Sequence, residues 1–139
     1  MKESKFQMRD IPKIKQFEFN INEKYDSENG LVLDMDAETK VEKLEEGARV
    51  EFKMILFGDR KPEEKPFDLS MTMESTFEWS DDLNDAIIGD LLGINAPAIL
   101  LSYMRPHISN ITASAGFPPL IIPLMDFTEN KRIDIIEEN

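Results

Sequence analysis

The sequence predicts an α+β fold: a four-stranded antiparallel sheet, a short helix, a long kinked helix, a proline-rich crossover and a terminal helix. Three observations carry this. Four stretches in the first 79 residues alternate apolar and polar side chains with a period of two, the signature of half-buried strands. A run with apolar residues at three- and four-residue spacings follows, as on one face of a helix. That run ends at Gly116 and passes into FPPLIIPLMDF, where Pro118, Pro119 and Pro123 fix φ and remove amide donors, so this segment cannot be a central strand. At 139 residues the chain is expected to form one domain over 1–139, with a sheet that wants cover from helices or a partner subunit.

The first strand rests on Phe17, Phe19 and Ile21 alternating with Glu18, Asn20 and Asn22, and Asn29-Gly30 supplies a turn. In the second, Leu31, Leu33, Met35, Ala37, Thr39 and Val41 share one face, and Glu45-Glu46-Gly47 closes it. Val50, Phe52, Met54 and Leu56 define a third. The fourth places Phe67, Leu69, Met71, Met73, Phe77 and Trp79 on one side. Short connections imply antiparallel neighbours. Ser80 is expected to cap a short helix through Leu92, with Asp81 and Asp82 complementing its dipole and Gly93 just past its end.

Asn95 and Pro97 open the main helix. Leu101, Met104, Ile108, Ile111 and Ala115 form one apolar stripe, and Leu100, Tyr103 and His107 an adjoining one, so the apolar arc is wide enough for two contacts. Pro106 lies inside this helix; it costs roughly 3 kcal/mol there and frees the Ser102 carbonyl, which predicts a kink or broken turn near residues 104–107. After the crossover, Thr128 is expected to cap a terminal helix carrying Ile133 and Ile136, although Ile133 and Ile135 fit a strand as well.

Twenty-eight acidic against 16 basic residues leave a net charge of −12, which repels phosphate backbones and anionic membranes and favours cationic or unfolded partners. Nucleic acid is excluded as an expected partner. With no cysteine there is no disulfide framework, thiolate metal site or thiol nucleophile. The first residues lead into no apolar signal core and no apolar run nears the roughly 18 residues that span a bilayer, so a cytoplasmic setting without direct membrane insertion is expected. His107 is the single histidine and sits on an apolar helix. Asp34, Asp36, Glu38 and Glu45 superficially match a calcium loop, but Thr39 stands where that loop needs glycine. No phosphate loop, nucleophile elbow or zinc spacing occurs, so neither an enzyme nor a cofactor or metal site is expected. What remains is a binding surface, for which eight methionines and nine phenylalanines supply adaptable apolar area.

The last third of the chain resembles the bacterial export chaperone family SecB, in which a long helix with an L-x-x-Y-x-R core leads through G-x-F-P to a P-x-N-F element. The matching residues are Leu100, Tyr103, Arg105, Gly116, Phe117, Pro118, Pro123 and Phe127. Asp126 stands where the family usually has Asn, and Ser102 where it has proline. The resemblance implies an ATP-independent holdase that captures non-native polypeptide or preprotein in an apolar groove. Phe117, Leu120 and Ile122 are the leading candidates to line it, joined by Phe127, Trp79 and Phe77. It further implies a dimer or tetramer in which Leu100, Tyr103, Met104, His107 and Ile111 meet a neighbouring subunit. A SecA-like motor would dock on outward acids, for which Glu18, Asp68 and Glu74 are the candidates. A dedicated scaffold or antitoxin-directed chaperone recognising one partner tail would use the same groove. A thioesterase-like enzyme would want a polar group at the buried start of the long helix, where this chain has Pro97 and Ala98.

Overall fold

The computed structural model describes residues 1–128 and 133–137. Strands β1 (Phe6–Met8), β2 (Lys13–Ile21), β3 (Met35–Lys43), β4 (Ala48–Leu56), β5 (Phe67–Trp79) and β6 (Ile133–Glu137) form one sheet, ordered β1-β5-β4-β3-β6, with β2 also paired to β5. The three long central pairings are antiparallel, as the short connection between β3 and β4 requires of that pair, and β6 adds parallel to β3.

Four strands were expected and six are found among the described residues. β1 is only three residues long, too short to show a period. The terminal helix expected after Thr128 is replaced over residues 133–137 by strand, consistent with the β-branched isoleucines there and with a free edge on β3 that offers a hydrogen-bonded ladder. The second expected strand began too early: Leu31 and Val32 precede β3 and lie more than half exposed.

One irregularity in β2 matters. Ile14 and Phe17 are an odd number of residues apart, so strict alternation would send them to opposite faces. Ile14 pairs with Met73 and Gln16 with Thr72, leaving Lys15 as an extra residue in a bulge. Ile14, Phe17, Phe19 and Ile21 consequently share the face of Met73, Met71, Leu69 and Phe67.

Helix α1 (Asp85–Asp90) starts at Asn84, whose Oδ1 accepts from the Ile87 amide at 2.9 Å; Ser80 is not the cap. It does not stop at Gly93. A π-helical turn over Leu91–Asn95 joins it to α2 (Ala96–Ser114), with the Ala96 amide donating to the Leu91 carbonyl. Pro97 has no amide and its ring would strike the carbonyl four residues back, so a widened turn lets the rod continue. Of the kink or broken turn expected at Pro106, the broken turn is absent: α2 runs through the proline. The joined rod, residues 85–114, contains a window with mean hydropathy 1.5, long and apolar enough on composition to span a bilayer. The expectation of no such run treated α1 and α2 as separate. Its apolar side is nevertheless committed to the sheet, with Leu92, Ala96, Leu100, Met104 and Ile108 buried.

The core lies between α2 and the inner face of β4 and β5, built on Val50, Phe52, Met54, Leu69, Met71 and Met73. At about 1.5 to 3 kcal/mol per fully buried large side chain, this layer dominates the stabilisation of the fold. Phe6 stacks on Phe77 at one end, with ring centroids 5.2 Å apart. At the other, Phe67 touches Phe19, Phe57 and Phe117 at 5.1, 5.3 and 5.4 Å.

Candidate functional site

After α2 the chain turns at Gly116, whose φ of 93° is open to glycine without strain, and runs back along the helix through residues 117–127. Proline supplies few amides to this segment, so side chains must hold it. Buried Thr112 accepts from the Leu120 amide through Oγ1 at 2.9 Å, and Arg105 donates from Nε to the Ile122 carbonyl at 2.6 Å. Phe117 leans on Phe67, and Phe127 meets Phe52 edge-on at 5.4 Å. The loop is thus pinned at four points over the core.

Pinning separates its side chains into two sets. Ile122 is fully buried and Phe127 nearly so, while Phe117 and Leu120 are half-buried against the core. Ile121, Leu124 and Met125 point outward, 63%, 82% and 43% exposed. Of the six residues expected to bind polypeptide, Ile122, Phe127 and Phe77 are therefore core in this structure. Trp79 remains half-buried, stacked near Phe6 at 6.4 Å at the opposite end of the sheet. The loop carries no period from which inward and outward residues could be told; two hydrogen bonds decide it.

A second apolar surface was missed. Ile14, Phe17 and Ile21 are 43%, 40% and 54% exposed although they share the core face of the sheet. α2 packs over β4 and β5, and of the inward side chains of β2 only Phe19 is packed against the core. On the flank of α2 turned away from Arg105 and Thr112 stand exposed Tyr103 and His107, with Ile111 partly buried below them. Leu100 and Met104, also expected at a subunit interface, are fully buried within the chain. Only the unmatched spacing of Ile14 and Phe17 could have signalled this strip.

The outer sheet face is a ladder of opposite charges. Glu38 is opposite Lys53, Lys40 opposite Glu51 and Glu42 opposite Arg49, the last pair 2.6 Å apart. Glu51 and Glu74 face each other across β4 and β5, and bulged Lys15 reaches both, hydrogen-bonding Glu51 and lying 3.4 Å from Glu74. That hydrogen bond is the main reason the Glu51 carboxyl is held below its ordinary value and the Lys15 ammonium above its own. Glu74 is buried and also meets Lys13 at 3.3 Å, so it offers no exposed acid to a docking partner. Of the other two docking candidates, Glu18 is exposed opposite Ser70, and Asp68 pairs with Lys65 at 2.6 Å.

Sheet, rod and returning loop together define an α+β domain that leaves apolar side chains uncovered on β2 and on the crossover. The chain belongs to the SecB family: the model for preprotein translocase subunit SecB matches residues 4–130. A protein-export protein SecB of Anaplasma phagocytophilum is 40% identical over 53 residues, 38% of this chain and 34% of that protein. One from Ehrlichia canis is 45% identical over 47 residues, 34% and 27% of the two chains, so the matches span about a third of these relatives' length or less. An uncharacterized protein of Methanocaldococcus jannaschii is 34% identical over 113 residues, 79% of this chain and 72% of that one. Among solved structures, the SecB-like chaperone of Mycobacterium tuberculosis, in complex with a ChAD peptide from the HigA1 antitoxin, has the same fold. It superposes with a TM-score of 0.67 at 16% identity, covering 87% of this chain and 91% of that one.

Proposed function

We propose that the protein is an ATP-independent holdase that captures extended, non-native polypeptide, with binding as its whole activity. The observation that carries this reading is the crossover loop: Phe117, Leu120, Ile122 and Phe127 hold a proline-stiffened backbone to the core while Ile121, Leu124 and Met125 face solvent. Such a surface costs little ordering on binding and selects apolar segments without reading a sequence. A net charge of −12 draws in cationic segments, and family membership supports the same role in the cytoplasm.

The β2 strip with Tyr103, His107 and Ile111 is the proposed contact between copies of the chain, giving a dimer or tetramer whose repeated weak sites act through effective concentration. A SecA-like motor has less support, since Glu74 is buried and ion-paired with Lys13 and Lys15 and the outer face is largely paired. A second reading, a chaperone dedicated to one partner tail, is favoured by the antitoxin peptide held by the Mycobacterium tuberculosis neighbour.

Titration with a permanently unfolded polypeptide, its folded form and several unrelated unfolded chains tests both. Comparable binding of all the unfolded chains and none of the folded form is the expected result. Binding of no unfolded chain would overturn the holdase and leave the dedicated partner.

A further inference from the structure

Among the described strands every pairing is antiparallel except the one made by β6. β6 lies parallel to β3 through five register pairs, from Thr39 with Ile133 to Lys43 with Glu137, and forms the sheet edge. Parallel pairing is slightly less stable per residue, and five residues is a short ladder. Nothing in the topology demands it: β3 is already paired to β4 along its whole length. β6 is also continuous in sequence with the crossover loop whose outward side chains form the proposed capture surface.

We propose that the edge of β3 turned away from β4 is a strand-addition site for extended polypeptide, and that the chain's own residues 133–137 occupy it as an exchangeable stand-in. The proposal rests on the holdase reading and deepens it. A β-edge supplies main-chain hydrogen bonds to any sequence, which suits a protein that must hold many chains, and alternate positions add modest preference. On β3 those positions are defined. Thr39 and Val41 are buried on the core face, so a strand laid beside them carries every second residue toward the apolar interior, whereas Lys40 is exposed on the opposite face. The resident strand, IDIIE, occupies this edge with Asp134 in register with Lys40 and Glu137 with Lys43. A client segment entering here would displace β6 and pair with β3 through its backbone.

The absence of native cysteine makes a clean lock available. In the full chain, Lys40→Cys with Asp134→Cys places two thiols on register partners, so oxidation ties β6 to β3 and reduction releases it. Affinity for reduced, carboxymethylated α-lactalbumin, a permanently unfolded polypeptide, is measured in both states beside the wild type under the same redox conditions. The expected result is binding at least about tenfold weaker when locked and restored to the wild-type level on reduction. Equal affinity in both states would overturn the proposal while leaving the holdase reading intact, and failure of the disulfide to form would remove the pairing on which it stands. Amide hydrogen exchange at residues 39–43 gives a readout independent of any client: faster exchange in the reduced than in the locked protein supports strand exchange, and identical exchange rules it out. If the wild type binds no unfolded chain, the holdase reading fails and takes the assignment of the edge to polypeptide with it.

Discussion

The hydroxyl of Thr112 accepts the Leu120 amide at 2.9 Å while donating to the Ile108 carbonyl at 2.8 Å, so one buried oxygen ties the returning loop to the helix it has just left. Thr112→Val keeps the shape and removes the acceptor, leaving a part-buried amide without a partner. It should cost about 1 to 3 kcal/mol, and Thr112→Ser should recover most of it. Thermal unfolding of the two variants decides this; equal melting temperatures would show that the bond is not what holds the loop.

Inward and outward residues of the crossover should separate by phenotype. Ile121→Ser with Leu124→Ser should weaken capture of unfolded chains and leave the melting temperature within a degree or two of wild type, because both side chains are exposed. Ile122→Ser removes a fully buried side chain and adds a hydroxyl, so it should destabilise by about 2 to 5 kcal/mol. A fold that tolerates Ile122→Ser unchanged would mean that the loop is misplaced.

The β2 strip predicts an association defect. Phe17→Ser with Ile21→Ser should lower the oligomer mass in sedimentation at micromolar concentration while far-ultraviolet dichroism stays the same. An unchanged mass would leave the strip without a subunit to cover it.

Lys15 should shape the pH profile from both ends. Glu51 has its pKa lowered, chiefly by the Lys15 hydrogen bond, so its contribution is present above the unfolded value of 4.5 and is lost as pH falls through the folded value. Lys15 has its pKa raised by the same bond, so its contribution is present below 10.5 and is lost as pH rises through its folded value. Lys15 is almost half exposed, which limits the pair to less than about 1 kcal/mol. Urea midpoints of Lys15→Gln should fall below wild type at pH 7, and the gap should narrow as the pH is lowered below 4.5. A constant gap across that range would assign the effect to something other than the ion pair.

Gly47 makes the sharpest backbone prediction. Its φ is 84°, and a Cβ there would sit 2.1 Å from the Phe77 carbonyl oxygen, so neither conformation nor space admits a side chain. Gly47→Ala should destabilise by several kcal/mol, about the cost of an incompatible backbone plus displacement of β5 from the β3–β4 turn. Normal denaturation of the purified variant would refute this.

Much of this architecture is legible without coordinates because half-buried strands and a core helix each impose a period. The alternation of residues 67–79 and of 48–56 reads directly as β5 and β4, and the apolar positions of α2 mark its buried side. Legibility fails where the backbone has no period. Nothing local tells Ile121 from Ile122, since their opposite fates follow from hydrogen bonds that Leu120 and Ile122 make to residues 8 and 17 positions back. The continuity of the rod through Pro97 and Pro106 was hidden for a related reason: local rules count the missing amide, whereas burial of Leu100, Met104 and Ile108 on the sheet outweighs it. Glu74 is an outward acid by parity, and only the bulge that brings Lys15 within 3.4 Å of it shows that it is covered.

That bulge also gives the chain a place where its length can change. Ile14 opposes Met73 and Gln16 opposes Thr72, neighbours on β5, so removing Lys15 would let the two halves of β2 close into an unbroken ladder with every other residue keeping its partner and its face. A deletion at Glu18 would instead turn one half of the strand inside out. Insertions and deletions along this edge are thus tolerated at one point and forbidden a few residues away, and a shortened relative would keep the apolar strip while giving up the charge that bridges Glu51 and Glu74.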